Sequence, residues 1–210
     1  MANDLIAIGA VVSLSINGST LDELEFALEG PQGDAHSGFT RRLGGHDGEY
    51  TRTSDLKTGA PILNWRAWSG LSAEEIRETE NALGAEIPPG CLLENIIFSG
   101  IPKFTKLPPT TRFVFPARRG ENGIRQAILA VWEENTPCSV VGARLAALHD
   151  RPTLKKQFVS AATNKRGVVG LVLAPGEVRR GDEVRVYSPT RASAPHCVRH
   201  GAKLPDQRAL

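Results

Sequence analysis

Residues 7–16 alternate loosely between apolar and small or polar side chains, are rich in β-branched residues and run into Asn17-Gly18, which predicts a first strand closed by a turn. The four residues from Thr20 to Glu23 have capping-box spacing and predict a short helix opening at Thr20. Residues 30–59 break into glycine, histidine and charged side chains with no sustained period, the pattern of a long functional loop. Helical spacing returns over 72–83, where Ser72 and Glu75 form a second capping box, Ile76 and Leu83 share a face and Gly84 supplies the stop. After the Pro88-Pro89-Gly90 turn, residues 92–98, 112–115 and 126–132 read as strands, then 137–149 and 153–163 as helices parted by Arg151-Pro152. Residues 167–173 form a buried-strand run, and the stretch from Gly176 reads as strand, Gly181-Asp182 turn, strand. Strands outnumber helices and follow one another through Gly and Pro turns, so the predicted fold is mainly β: a β-barrel with several flanking α-helices. One domain is expected over 1–187, followed by a polar, basic, disordered tail over 188–210.

Composition narrows the class. With 40% apolar and 23% charged residues in 210, the chain has an ordinary globular balance. The apolar stretch at 5–16 is interrupted by Gly9, Ser13 and Ser15 and preceded by Asp4 instead of a basic cluster, so neither a signal peptide nor a membrane span is expected. A soluble, cytoplasmic protein is the expectation. The net charge of +2 divides into +3 on the tail (Arg191, Arg199, Lys203 and Arg208 against Asp206) and −1 on the remainder, which argues against a nucleic-acid partner. Cys91, Cys138 and Cys197, odd in number and widely spaced, read as free thiols.

Cys138 carries the most chemistry. Thr136 suits an N-cap and Pro137 the first helical position, which would put Cys138 in the first turn of a helix. Unpaired amides and the positive end of the helix dipole there favour a thiolate over a thiol. A thiolate with Ser139 beside it is suited to nucleophilic attack, to carrying sulfur as a persulfide or to ligating a soft metal, while the plain alternative is a cysteine that only packs. Cys91, without a capping context, reads as structural. Cys197 with His196 and His200 offers only three ligands in a polar tail, too few for a structural zinc site.

Four segments, taken in order, resemble the MOSC family, the C-terminal domain of molybdenum cofactor sulfurase. Residues 31–38 (Pro-Gln-Gly-Asp-Ala-His-Ser-Gly) resemble its Gly-Asp-x-His-x-Gly loop. Residues 64–76 resemble its Asn-x-Arg-x-x-Ser...Ser-x-Glu segment, and 93–100 its Gly-x-Asn-x-x-x-Ser-Gly strand. Asn-Thr-Pro-Cys at 135–138 falls where the family's cysteine belongs, and the similarity runs from about residue 7 to 187. The short Pro-Cys form resembles small stand-alone bacterial members and lacks the Cys-Pro-x-Thr context of the mitochondrial amidoxime-reducing branch.

The resemblance implies a β-barrel with a pocket for the molybdenum cofactor, molybdopterin, and Cys138 as the catalytic or metal-ligating residue. Molybdopterin carries a phosphate, which calls for Arg or Lys side chains and glycine-rich turns. Arg41, Arg42, Arg66, Lys165 and Arg166 lie in or beside the matching segments. His36 is a candidate hydrogen-bond partner of the pterin or a substrate, Asp34 a structural companion to it, and Asn95 a polar amide expected near the pocket. Two activities stay open. In the first, Cys138 ligates molybdenum in reduction of a small N-hydroxylated substrate, with electrons from a separate electron-donor protein, since no flavin or iron–sulfur motif is present. In the second, Cys138 is a sulfur carrier loaded by a separate cysteine desulfurase, since the chain has no pyridoxal-phosphate desulfurase domain.

Overall fold

The structure, a computed structural model, describes residues 4–44, 47, 52–120 and 123–189. Its first strand, β1 (Leu5–Ile16), is long because it serves three neighbouring strands along its length. After the Asn17-Gly18 turn the chain doubles back as β2 (Ser19–Leu21) against the end of β1, with Ser15 opposite Thr20. β3 (Glu23–Ala27) follows and pairs with the two-residue β4 (Gly30–Pro31). The helix expected at Thr20 is therefore absent. Leu24 and Phe26 are both buried while Glu23 is exposed, a period of two that a helix would turn to opposite sides. The capping-box spacing had no helical period behind it.

The loop region carries a further hairpin, β5 (Thr40–Arg42) against β6 (Pro61–Leu63). Next come β7 (Trp68–Ser72), α1 (Ala73–Leu83) and β8 (Ile96–Ser99), a crossover unit that makes β7 and β8 parallel. The Ser72 hydroxyl caps α1 by accepting from the Glu74 and Glu75 amides, and Gly84 ends it in the left-handed region. Glu75 does not close the box. Its carboxylate accepts from the amide and hydroxyl of Thr105 instead. The strand expected from residue 92 begins only at Ile96, because Leu93 has positive φ and its amide closes a turn onto the Gly90 carbonyl.

The remaining elements are a 3-10 turn at Phe104–Lys106, β9 (Arg112–Val114), a small hairpin of β10 (Arg118–Gly120) and β11 (Gly123–Arg125), β12 (Ile128–Glu134), α2 (Ser139–Leu148), α3 (Leu154–Ala161), β13 (Val168–Ala174), β14 (Gly176–Arg179) and β15 (Glu183–Tyr187). Seven strands close a mixed barrel in the order β15-β9-β12-β13-β7-β8-β1, with β1 pairing back onto β15. The closing segment is not a hairpin. β14 joins β3, while β15 joins β1 and β9, and the turn between them is tied to β1 by reciprocal bonds of Val11 with Asp182 and Gly181.

Two apolar clusters hold this frame. The barrel interior contains Trp68, Phe98, Phe104, Phe113 and Phe115, whose rings pack at centroid separations between 5.0 and 6.3 Å. The second cluster, with Leu71, Ile97, Leu145 and Phe158, lies between the barrel wall and the helices. β8 explains its uninterrupted apolar run by serving both, Ile96 and Phe98 on the inside and Ile97 on the outside. Gly142 lets α2 reach α3, since a Cβ there would lie 2.5 Å from the Lys155 carbonyl oxygen. Among the described residues no helix is long and apolar enough to cross a membrane. The tail residues from 190 onward, with His196, Cys197 and His200, lie outside the described residues.

Candidate functional site

A cavity of about 320 Å³ opens where the end of β12, the start of β13 and the segment leading into β8 meet. His36, Arg66, Asn95, Cys138 and Arg166 all line it, residues drawn from five separate parts of the chain.

The polar frame is built by side chains that bond backbone far away in sequence. Asn64 donates to the His36 and Gly38 carbonyls and receives the Arg66 amide, which fastens the loop at 31–38 to the Arg66 segment. Asn95 receives the Ser69 amide at 2.9 Å and donates to Asp34 Oδ2 at 2.9 Å, so its amide is spent on holding two segments together. Asp34 Oδ1 accepts from the His36 amide at 2.7 Å and from His36 Nδ1 at 3.2 Å. Burial pushes the Asp34 carboxyl up, but the bonds from His36 and Asn95 outweigh it and hold the carboxyl below its ordinary value. His36 is raised in return, chiefly by its bond to Asp34 and against burial and the charge of Arg66.

Arg66 donates from Nη1 to Glu133 Oε1 at 3.1 Å and from Nη2 to Asn135 Oδ1 at 2.9 Å. The Asn135 amide donates to the Gly167 carbonyl, so Asn135, which leads into the Cys138 segment, is held through both its backbone and its side chain. Cys138 is not in the first turn of α2. It is the N-cap, extended at φ −132° and ψ 159°, and its side chain makes no capping hydrogen bond. Pro137 stands before the cap, and Ser139 is the first helical residue.

Arg166 is buried at 4% exposure. Its Nη2 donates to the Leu92 carbonyl at 2.6 Å, while Nη1 has no hydrogen-bond partner. Its backbone is set by Gly167, with φ +78° and a position at which a Cβ would lie 1.9 Å from the Gly70 carbonyl oxygen. Burial pulls the guanidinium below its ordinary value, and Glu94 and Cys138 act in the opposite sense. Glu94 is buried too, receives the Gly90 amide at Oε1 and leaves Oε2 without a partner. Burial pushes its carboxyl up.

Four candidates stand away from the cavity lining. Arg41 is held by Asp47 through two bonds of 2.6 Å and lies over the Trp65 ring at 4.4 Å. Arg42 donates to the Gly59 carbonyl, Lys165 pairs with Glu78 at 3.1 Å, and Ser139 is exposed. Conversely, Ser69, Glu133 and Asn135 line the cavity although no local motif marks them as site residues. Glu133 and Glu134 at the end of an apolar strand were the legible signal. Among the described residues no group of three or more His, Cys, Asp or Glu side chains converges as an all-protein metal site, so a metal at Cys138 would bring further ligands with it.

The family model for the MOSC domain matches residues 57–185. YuaD of Bacillus subtilis (strain 168), whose name places it among metal-sulfur cluster biosynthesis proteins, is 34% identical over 170 residues, 80% of this chain and 81% of that protein. A crystal structure of the Bacillus subtilis YuaD protein superposes with a TM-score of 0.76 at 30% identity, covering 89% of this chain and 99% of that one. YiiM from Escherichia coli shares the fold alone, with a TM-score of 0.50 at 18% identity over 87% of this chain and 70% of that chain. By family model, sequence and fold, the chain belongs to the MOSC domain family.

Proposed function

We propose that this protein handles sulfur through Cys138, accepting it as a persulfide from a separate cysteine desulfurase and passing it to an acceptor that reaches the cavity. The observation that carries the reading is that a thiol, Cys138, and a buried cation, Arg166, line one small cavity. The Cys138 thiolate attacks the outer sulfur of the donor's persulfide, the donor's S–S bond breaks, and the donor leaves as a thiolate, so the transfer involves no net oxidation. The placement of YuaD among metal-sulfur cluster biosynthesis proteins points the same way.

The molybdenum cofactor is the second reading, and the residues present fit it. Cys138 offers a soft ligand for the metal, while Arg166, through its unused N–H, Arg66 and His36 would hold the anionic and heteroaromatic parts. Bound there, the cofactor would supply a two-electron redox centre for a small N-hydroxylated substrate, with electrons from a separate donor protein. The sulfur reading stands first because Arg41, Arg42 and Lys165 are engaged away from the cavity, so that of the five candidate cations only Arg66 and Arg166 remain to meet a phosphate.

Labelled sulfur delivered by a desulfurase is expected on Cys138 and is lost in Cys138→Ser. Near-stoichiometric molybdenum after gentle purification, lost in the same variant, would favour the second reading. If Cys138→Ser changes neither sulfur uptake nor metal content, both fall.

A further inference from the structure

Resting on the reading that Cys138 carries sulfur, we propose that the acceptor is a small sulfur oxyanion, sulfite or a sulfinate, held in the cavity by Arg166 Nη1 and the first-turn amides of α2. Two independent features of the cavity wall call for an anion. The first is Arg166, which lines the cavity at 4% exposure. Its Nη2 is spent on the carbonyl of Leu92, another lining residue, while Nη1 has no hydrogen-bond partner. A buried charged donor left unpaired is costly, and a bound oxyanion relieves it. Glu94 does not supply the bond, because its Oε2 is itself without a partner.

The second feature is the opening of α2, a helix of 10 residues. Cys138 is its N-cap but makes no side-chain capping bond, and Thr136, Cys138 and Val141 line the cavity. An uncapped helix start, with free amides and the positive end of the dipole, is a site for an anion. The two features are tied together: the Asn135 amide donates to the Gly167 carbonyl at 2.8 Å, which joins the residue after Arg166 to the segment that enters α2. Other charges in the lining are matched, Arg66 by Glu133 and Glu134 by Lys106.

Chemistry selects the anion. Sulfate, phosphate and carboxylates fit such a site but have no atom that takes up the outer sulfur of a persulfide. Sulfite and sulfinates have a nucleophilic lone pair on sulfur. Sulfite attacks the outer sulfur of the Cys138 persulfide, a new S–S bond forms as the old one breaks, and Cys138 departs as a thiolate. Thiosulfate leaves, any persulfide proton goes to water, and no external oxidant or reductant is needed.

The test uses the full chain at fixed pH and ionic strength, with circular dichroism as a check of folding. On unloaded protein, methanesulfonate, an oxyanion that cannot take up sulfur, is expected to protect Cys138 saturably from iodoacetamide while Cys91 and Cys197 label as before. Arg166→Gln is expected to weaken that protection by about tenfold. Ser139→Pro is expected to weaken it several-fold, since proline suits the first helical position after an extended residue and removes one amide donor. Absence of saturable protection in wild type overturns the site whether or not either variant folds, and so does unchanged protection in a folded Arg166→Gln. Inorganic phosphate that protects more tightly than methanesulfonate overturns the choice of anion. On protein loaded with inorganic polysulfide, thiosulfate release is expected to saturate with sulfite and to be competed by methanesulfonate; a linear rise overturns the acceptor. Wild type that takes no sulfur from a desulfurase sinks the proposed function, while the protection result still decides the oxyanion site.

Discussion

Arg66 Nη2 donates to Asn135 Oδ1 at 2.9 Å, across 69 residues of sequence, and Asn135 stands three positions before Cys138. The bond couples the β6–β7 connection to the segment that aims the cysteine. Asn135→Ala is therefore expected to lower sulfur loading at Cys138 several-fold and to cost on the order of 1–3 kcal/mol by leaving part of the guanidinium unpaired. Loading by mass spectrometry and urea denaturation check the two parts, and a variant with unchanged loading would show that the bond does not position the thiol.

The Asp34–His36 pair predicts a pH dependence. His36 is raised above its ordinary 6.5, so its contribution is complete below that value and fades as pH rises through the raised folded value. Asp34 is lowered from 3.8, so its contribution is present above 3.8 and is lost as pH falls through the lowered value. The stability difference between wild type and His36→Gln should thus be greatest near about pH 5 and shrink by about pH 8. It should stay under about 1 kcal/mol, because the His36 side chain is 71% exposed and water screens it. Equal differences at the two pH values would refute this.

Gly167→Ala should be among the most damaging substitutions in the chain. Positive φ and a Cβ driven to 1.9 Å from the Gly70 carbonyl oxygen force the β7–β13 contact apart, at a cost above about 3 kcal/mol. The expected observations are a large drop in the unfolding midpoint and little soluble protein. A midpoint within a few degrees of wild type would show that the contact yields without strain.

Ser72→Ala should cost about 1 kcal/mol by removing the cap of α1, read as a lower urea midpoint at constant slope.

Lys165→Ala and Arg42→Ala should leave sulfur loading at Cys138 within about twofold of wild type, since both cations are engaged away from the cavity lining and exposed pairs contribute little. A tenfold loss in either would place that cation in the working site.

The local period of the chain reveals much of the barrel before any contact is known. β1, β9, β12 and β13 follow from alternation or apolar runs, and α1 from its cap and its glycine stop. At Thr20 the four-residue capping spacing is overridden by the period-two burial of Leu24 and Phe26, which only a strand can satisfy. The late start of β8 reflects Glu94, whose carboxylate pins the Gly90 amide and bends the chain before the sheet begins. No local pattern announces such a bond.

For the site, sequence by itself determined which residue types were available and their order: the Asp34-His36 loop, Arg66, Asn95 and the Asn135-to-Cys138 segment. Only the tertiary structure decided which of five cations reach the cavity, and it admitted Arg66 and Arg166 while engaging Arg41, Arg42 and Lys165 elsewhere. The physical reason is that side-chain period is a property of neighbours along the chain. Burial and pairing of a charge are set by groups such as Leu92 and Arg166, 74 residues apart, that meet only when the barrel closes.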